Sequence, residues 1–88
     1  MLYLEVSETG SDNEPMGFNC GASNIERAQQ IADDLRVNLR GSMSTFGPER
    51  TNGGDDIVTV RCRPGTLATV TMLVEAKVAI MRARGQLS

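Results

Sequence analysis

The stretch Thr66-Leu-Ala-Thr-Val-Thr-Met-Leu-Val-Glu-Ala-Lys-Val-Ala-Ile-Met-Arg-Ala-Arg84 runs without a proline or glycine. Wound at roughly 100° per residue, it has two apolar sides. Leu67, Val70, Val74, Val78 and Met81 fall on one. Ala68, Met72, Leu73, Ala76, Ala79, Ile80 and Ala83 fall on the other. Thr71, Glu75 and Arg82 form one polar seam between them, and Lys77 and Arg84 form the second. An amphipathic helix needs one stripe covered; a helix apolar on both sides must be covered twice. The domain's own sheet covers one side. The other helix of the chain, or a second chain, must cover the other. Small side chains let helices approach closely, so Ala68, Met72, Ala76, Ala79 and Ala83 are the candidate self-association residues of a helix spanning 66–84.

Upstream, residues 55–63 read as a strand. Ile57, Val58, Thr59, Val60 and Cys62 suit a pleated surface, and Val58, Val60 and Cys62 alternate against Ile57, Thr59, Arg61 and Arg63. Pro64-Gly65 ends the run, and Thr66 is placed to cap the helix. Residues 2–8 alternate in the same way, Leu2, Leu4 and Val6 against Tyr3, Glu5 and Ser7, the pattern of a half-buried strand. A polar turn over 9–14 leads to a weaker strand at 15–20, with Met16, Phe18 and Cys20 in phase.

Ser23-Asn24-Ile25-Glu26 has capping-box spacing. It opens a helix whose Ile25, Ala28, Ile31, Ala32, Leu35 and Leu39 share one stripe, with Gly41 past its end. Residues 42–56 are looser. Met43, Thr45 and Phe46 suit a short strand, while Gly47-Pro48 and Asn52-Gly53-Gly54 carry turn chemistry, making 47–54 the expected mobile loop. The order β-β-α-β-β-α points to one α+β domain over residues 1–88. The expected form is a two-layer sandwich, with both helices on one face of a mostly antiparallel sheet of three to four strands.

A chain of 88 residues buries roughly 60–65% of its unfolded surface. With Tyr3, Phe18 and Phe46 its only aromatics, aliphatic residues must fill the core. The net charge of −2 argues against a general nucleic-acid binder, whose domain is usually basic. The charge is nevertheless uneven. Glu5, Glu8, Asp12 and Glu14 make the first stretch acidic, and residues 57–88 carry five cationic side chains against one carboxylate. Such asymmetry steers partners.

No catalytic, metal-binding or cofactor-binding set emerges. Cys20 and Cys62 have no histidine to act as base, which removes a Cys-His mechanism. Two cysteines far apart do not make a zinc site. Asp12, Asn13 and Glu14 lack the ligand series of a calcium loop. The glycines at 47–54 lack the Lys-Ser/Thr ending of a phosphate loop. No leader and no long apolar run are read, so the expected setting is cytoplasmic, with reduced thiols and no membrane.

The leading expectation is a non-enzymatic interaction module that forms a homo-oligomer through helix 66–84. Its charged surfaces, Arg50, Arg61 and Arg63 with Glu5, Glu8, Asp12 and Glu14, would then meet a larger protein partner. A compact chain without chemistry is compatible with a phage- or plasmid-type accessory that inhibits a host defence complex. One alternative is a nucleic-acid-binding module using Arg50, Arg61 and Arg63, with Arg82 and Arg84 as further phosphate contacts. Another is a regulatory domain holding a small molecule between the sheet and loop 47–54.

Overall fold

A computed structural model describes residues 1–10, 14–22, 24–38 and 43–86. The elements follow the expected order: β1 (Leu2–Glu8), β2 (Met16–Asn19), α1 (Ile25–Asn38), β3 (Met43–Arg50), β4 (Asp56–Cys62) and α2 (Leu67–Ala83). The four strands form one sheet in the order β2-β1-β4-β3. Its two outer pairings are antiparallel and its central pairing, β1 with β4, is parallel. The fold is therefore an α+β sandwich with an open, mixed sheet.

The central pairing brings two alternating strands into phase. Leu4 lies opposite Val58 and Val6 opposite Val60, and all four are buried, together with Leu2 and Cys62. Side chains two apart share a face, so this pairing makes one continuous apolar surface. Both helices cover it. Ala28, Ile31, Ala32 and Leu35 of α1 join the same core as Val70, Val74, Val78 and Met81 of α2. α1 lies over β3 and β4, and α2 over β1. Arg36 donates to the carbonyls of Thr45 and Gly47, fastening α1 to β3. Arg82 donates to the carbonyl of Asn19, fastening α2 to β2.

Three local expectations change. The α1 cap is Asn24, whose side-chain oxygen accepts from the backbone N–H groups of Glu26 and Arg27 at 3.0 and 3.2 Å. Ser23 lies outside the described residues, as do Asp12, Asn13, Leu39, Arg40, Gly41 and Ser42. Thr66 does not cap α2 through its side chain; its hydroxyl turns back to the Arg63 carbonyl at 2.6 Å. Finally, β3 runs through Gly47-Pro48 to Arg50, so these residues are strand rather than loop.

An edge strand tolerates proline, and the register shifts between Phe46 and Glu49 as a bulge takes up the extra residue. The connecting turn is confined to 51–55, closed by Thr51 N–H to the Asp55 carbonyl at 2.8 Å and Gly54 N–H to the Thr51 carbonyl at 3.0 Å.

Gly47 makes the bulge possible. Its φ is +95°, and a Cβ there would stand 2.6 Å from the Ile57 carbonyl oxygen. Gly54 also has positive φ, +85°, but open space around it. Gly54→Ala should cost about 1–2 kcal/mol for the left-handed backbone alone. Gly47→Ala should cost clearly more, because strain and collision add. Urea denaturation of the two variants side by side checks this; equal losses would mean that the close approach to β4 is unimportant.

Candidate protein-interaction surfaces

α2 turns one side to the core and the other outward. Val70, Val74, Val78 and Met81 are buried. Ala68, Met72, Leu73, Ala76, Ala79, Ile80 and Ala83 are all exposed. Met72 is 70% exposed, Leu73 48% and Ile80 47%. The second apolar side is thus not covered by α1 among the described residues. α1 stands across a groove that Lys77 bridges to Asp34 at 2.6 Å. The outward side of α1 carries Glu26, Gln29, Gln30, Asp33 and Arg36, all exposed, with Ile25 and Val37 exposed near its ends; among the described residues the long apolar strip is that of α2.

The open face of the sheet is the second surface. Glu5, Ser7, Thr59 and Arg61 line one depression on it, joined at the rim by Glu8. The acidic first strand and the arginine strand, distant in sequence, meet here because β1 and β4 are neighbours. The Arg61 guanidinium lies 5.4 Å from the centre of the Phe46 ring, a cation–π contact. Arg63 follows β4 and is exposed, as is Glu14 ahead of β2. Asp12 lies outside the described residues.

Arg50 does not join this set. Its guanidinium makes two bonds to the Asp56 carboxylate, at 2.9 and 3.1 Å. Asp56 is fully buried, on the helix-covered face of β4 with Val58 and Val60. Cross-strand partners share a face, so Arg50 stands on the opposite side of the sheet from Arg61. The two are also separated along β4 by five residues, on the order of 17 Å. The Arg50 guanidinium is held still more firmly in its charged form by the Asp56 hydrogen bonds and charge. The sequence reading missed Asp56, although opposite charges bracketing turn 51–55 were a usable signal for a cross-strand pair. Arg50→Met removes both guanidinium bonds from the buried Asp56 carboxylate, and breaking a buried ion pair from one side is destabilising. It should lower the melting temperature, and adding Asp56→Asn should recover part of the loss. A single variant as stable as wild type would show that the pair is incidental.

The cysteines belong to the core. Both are free and buried. The Cys20 N–H bonds the Leu2 carbonyl at one end of β1, whereas Cys62 lies opposite Glu8 at the other. Six residue steps along β1 separate those ends, about 20 Å, far beyond the reach of a disulfide. Burial pushes the Cys20 thiol above its ordinary value of 9.0, partly offset by the Arg82 charge. The folded thiol therefore keeps its proton to higher pH than the unfolded one. Its effect on stability is absent below the unfolded value and becomes a loss as pH rises through it. Neither cysteine should react with a thiol reagent in the native protein at pH 8, and both should react in denaturant. Rapid native labelling of Cys20 would contradict its burial.

Among the described residues no group of three or more Cys, Asp or Glu side chains could hold a metal ion, and no helix is long and apolar enough to cross a membrane. No protein-family model, no curated protein and no solved structure matches the chain.

Proposed function

We propose that the protein is a non-enzymatic interaction module, acting in the cytoplasm, that self-associates through the outer face of α2 and offers its open sheet face to a larger protein partner. One observation carries the reading: the exposed strip from Ala68 to Ala83, with Met72, Leu73 and Ile80 projecting from it. Contiguous apolar surface on a small domain marks an interaction site. The sheet face, with Glu5 and Arg61 in one depression, is suited to a partner bearing both signs of charge. The nucleic-acid alternative draws less support, because Arg50 is engaged by Asp56 and the other arginines are divided, Arg61 and Arg63 at the end of β4 and Arg82 and Arg84 at the end of α2, which splits a phosphate-tracking surface. The small-molecule alternative loses its expected loop, since residues 47–50 are paired into the sheet.

Light scattering across a dilution series tests the reading. A mass of twice 9.5 kDa is expected at high concentration. Ala76→Glu should yield a folded monomer whose intrinsic stability stays within about 0.5 kcal/mol of the wild-type protomer, as for other surface changes. Val74→Glu, one face round, should unfold the chain, because a buried unpaired carboxylate is costly. A wild-type protein that stays monomeric at all concentrations, or an Ala76→Glu variant that unfolds, would overturn the proposal.

A further inference from the structure

We infer that two copies pair through α2 in antiparallel orientation, with Glu75 of each helix opposite Arg82 of the other. This rests on the self-association reading above and adds its orientation and register. Along the outer face, Thr69, Met72, Ala76, Ala79 and Ala83 recur at alternating steps of three and four, the spacing of a helix–helix seam. Glu75 and Arg82 flank this seam on the side nearer β2, seven residues apart. Leu73 and Ile80 flank it on the side nearer α1, also seven apart.

A two-fold axis perpendicular to both helices sets each flank against its own copy, making an isologous contact. Placing Ala76 against the partner's Ala79 puts Met72 against the partner's Ala83. The same register brings Glu75 to the partner's Arg82 and Leu73 to the partner's Ile80, each twice by symmetry. Opposite charges meet on one flank and apolar side chains on the other.

A parallel pair fails this test. There, unlike flanks meet, and the Glu75 carboxylate would lie against Leu73 and Ile80 without a counter-charge. Flanking charges are what set orientation in paired helices, so the face is complementary to itself in one direction only. Three structural details agree. Glu75 has no ion-pair partner among the described residues. The bond from Arg82 to the Asn19 carbonyl holds its guanidinium on the Glu75 flank while leaving further N–H groups free. Of the two cations on the other flank, Lys77 is neutralised by Asp34 and Arg84 stands past the last residue of α2, at its C-cap. Pairing of this kind stacks the layers sheet–helix–helix–sheet and leaves the two open sheet faces pointing outward, so the dimer meets its partner bivalently.

The test combines charge reversal with cysteine pairing. Glu75→Arg and Arg82→Glu should each weaken the dimer about ten-fold, since each places like charges together at two symmetric positions; the double variant should recover most of that loss. Met72→Cys and Ala83→Cys, each alone, should form no intermolecular disulfide under mild oxidation. Their mixture should cross-link one copy to the other, with the buried Cys20 and Cys62 silent. A dimer in which Met72→Cys cross-links to itself, or in which the double reversal stays weak, would overturn the antiparallel register while leaving self-association standing. A wild-type protein without any dimer would overturn both.

Discussion

The parallel pairing of β1 with β4 is the constraint on which the rest of the molecule depends. Each strand alone is half apolar and alternating. Side by side and in phase, Leu2, Leu4 and Val6 with Val58, Val60 and Cys62 form one surface broad enough for two helices. A slip of one residue in either strand would turn its apolar set to the other face. It would also break the depression on the open face, because Glu5 and Arg61 come together only through the same register. Core and candidate partner surface are two sides of one pairing.

The helices differ because they receive different amounts of cover from that surface. α1 buries Ala28, Ile31, Ala32 and Leu35 over β3 and β4 and turns mainly polar residues outward, with Ile25 and Val37 exposed near its ends. α2 carries two. The sheet meets Val70, Val74, Val78 and Met81, and the groove to α1 leaves the second stripe standing in the open. Domains of this size bury a modest fraction of their surface. A second copy laid on this strip would extend the core rather than merely touch it, and protomer stability would then depend on concentration.

Much of the frame was legible in the residues: six elements in order, the two strong strands, both helices, and the two sides of α2. What was not legible has physical reasons. Alternation reports that one face of a strand is buried, but not the direction of its neighbour, so the parallel centre of the sheet was hidden. Gly47-Pro48 reads as a turn wherever it occurs, and only the edge position of β3, with room for a bulge, lets it remain inside a strand. Asn24 and Ser23 both have cap chemistry in the sequence, and the bonds that Asn24 accepts at the start of α1 have no signature in residue type alone. Arg50 and Arg61 look equivalent in a list of cations, yet strand parity sends one to the buried Asp56 and the other to the open face. A helical wheel, by contrast, needs no tertiary information, and for that reason α2 was the most readable element.

That same wheel carries more than burial. A strip that were only a packing surface would need no particular charges at its margins, and any cations or carboxylates there would serve solubility. Here the margins are unequal: one holds a Glu and an Arg two turns apart, and the other two large aliphatics at the same separation, beside the seam of Lys77 and Arg84. Equal spacing on both margins ties them to a common register, since an axis that matches Glu75 with Arg82 also matches Leu73 with Ile80. A parallel partner, or an unrelated protein bound at an arbitrary angle, would use one margin and waste the other. In the proposed dimer the face would specify orientation as well as adhesion, with alanines at its centre to bring the axes close and the charged margin to choose direction.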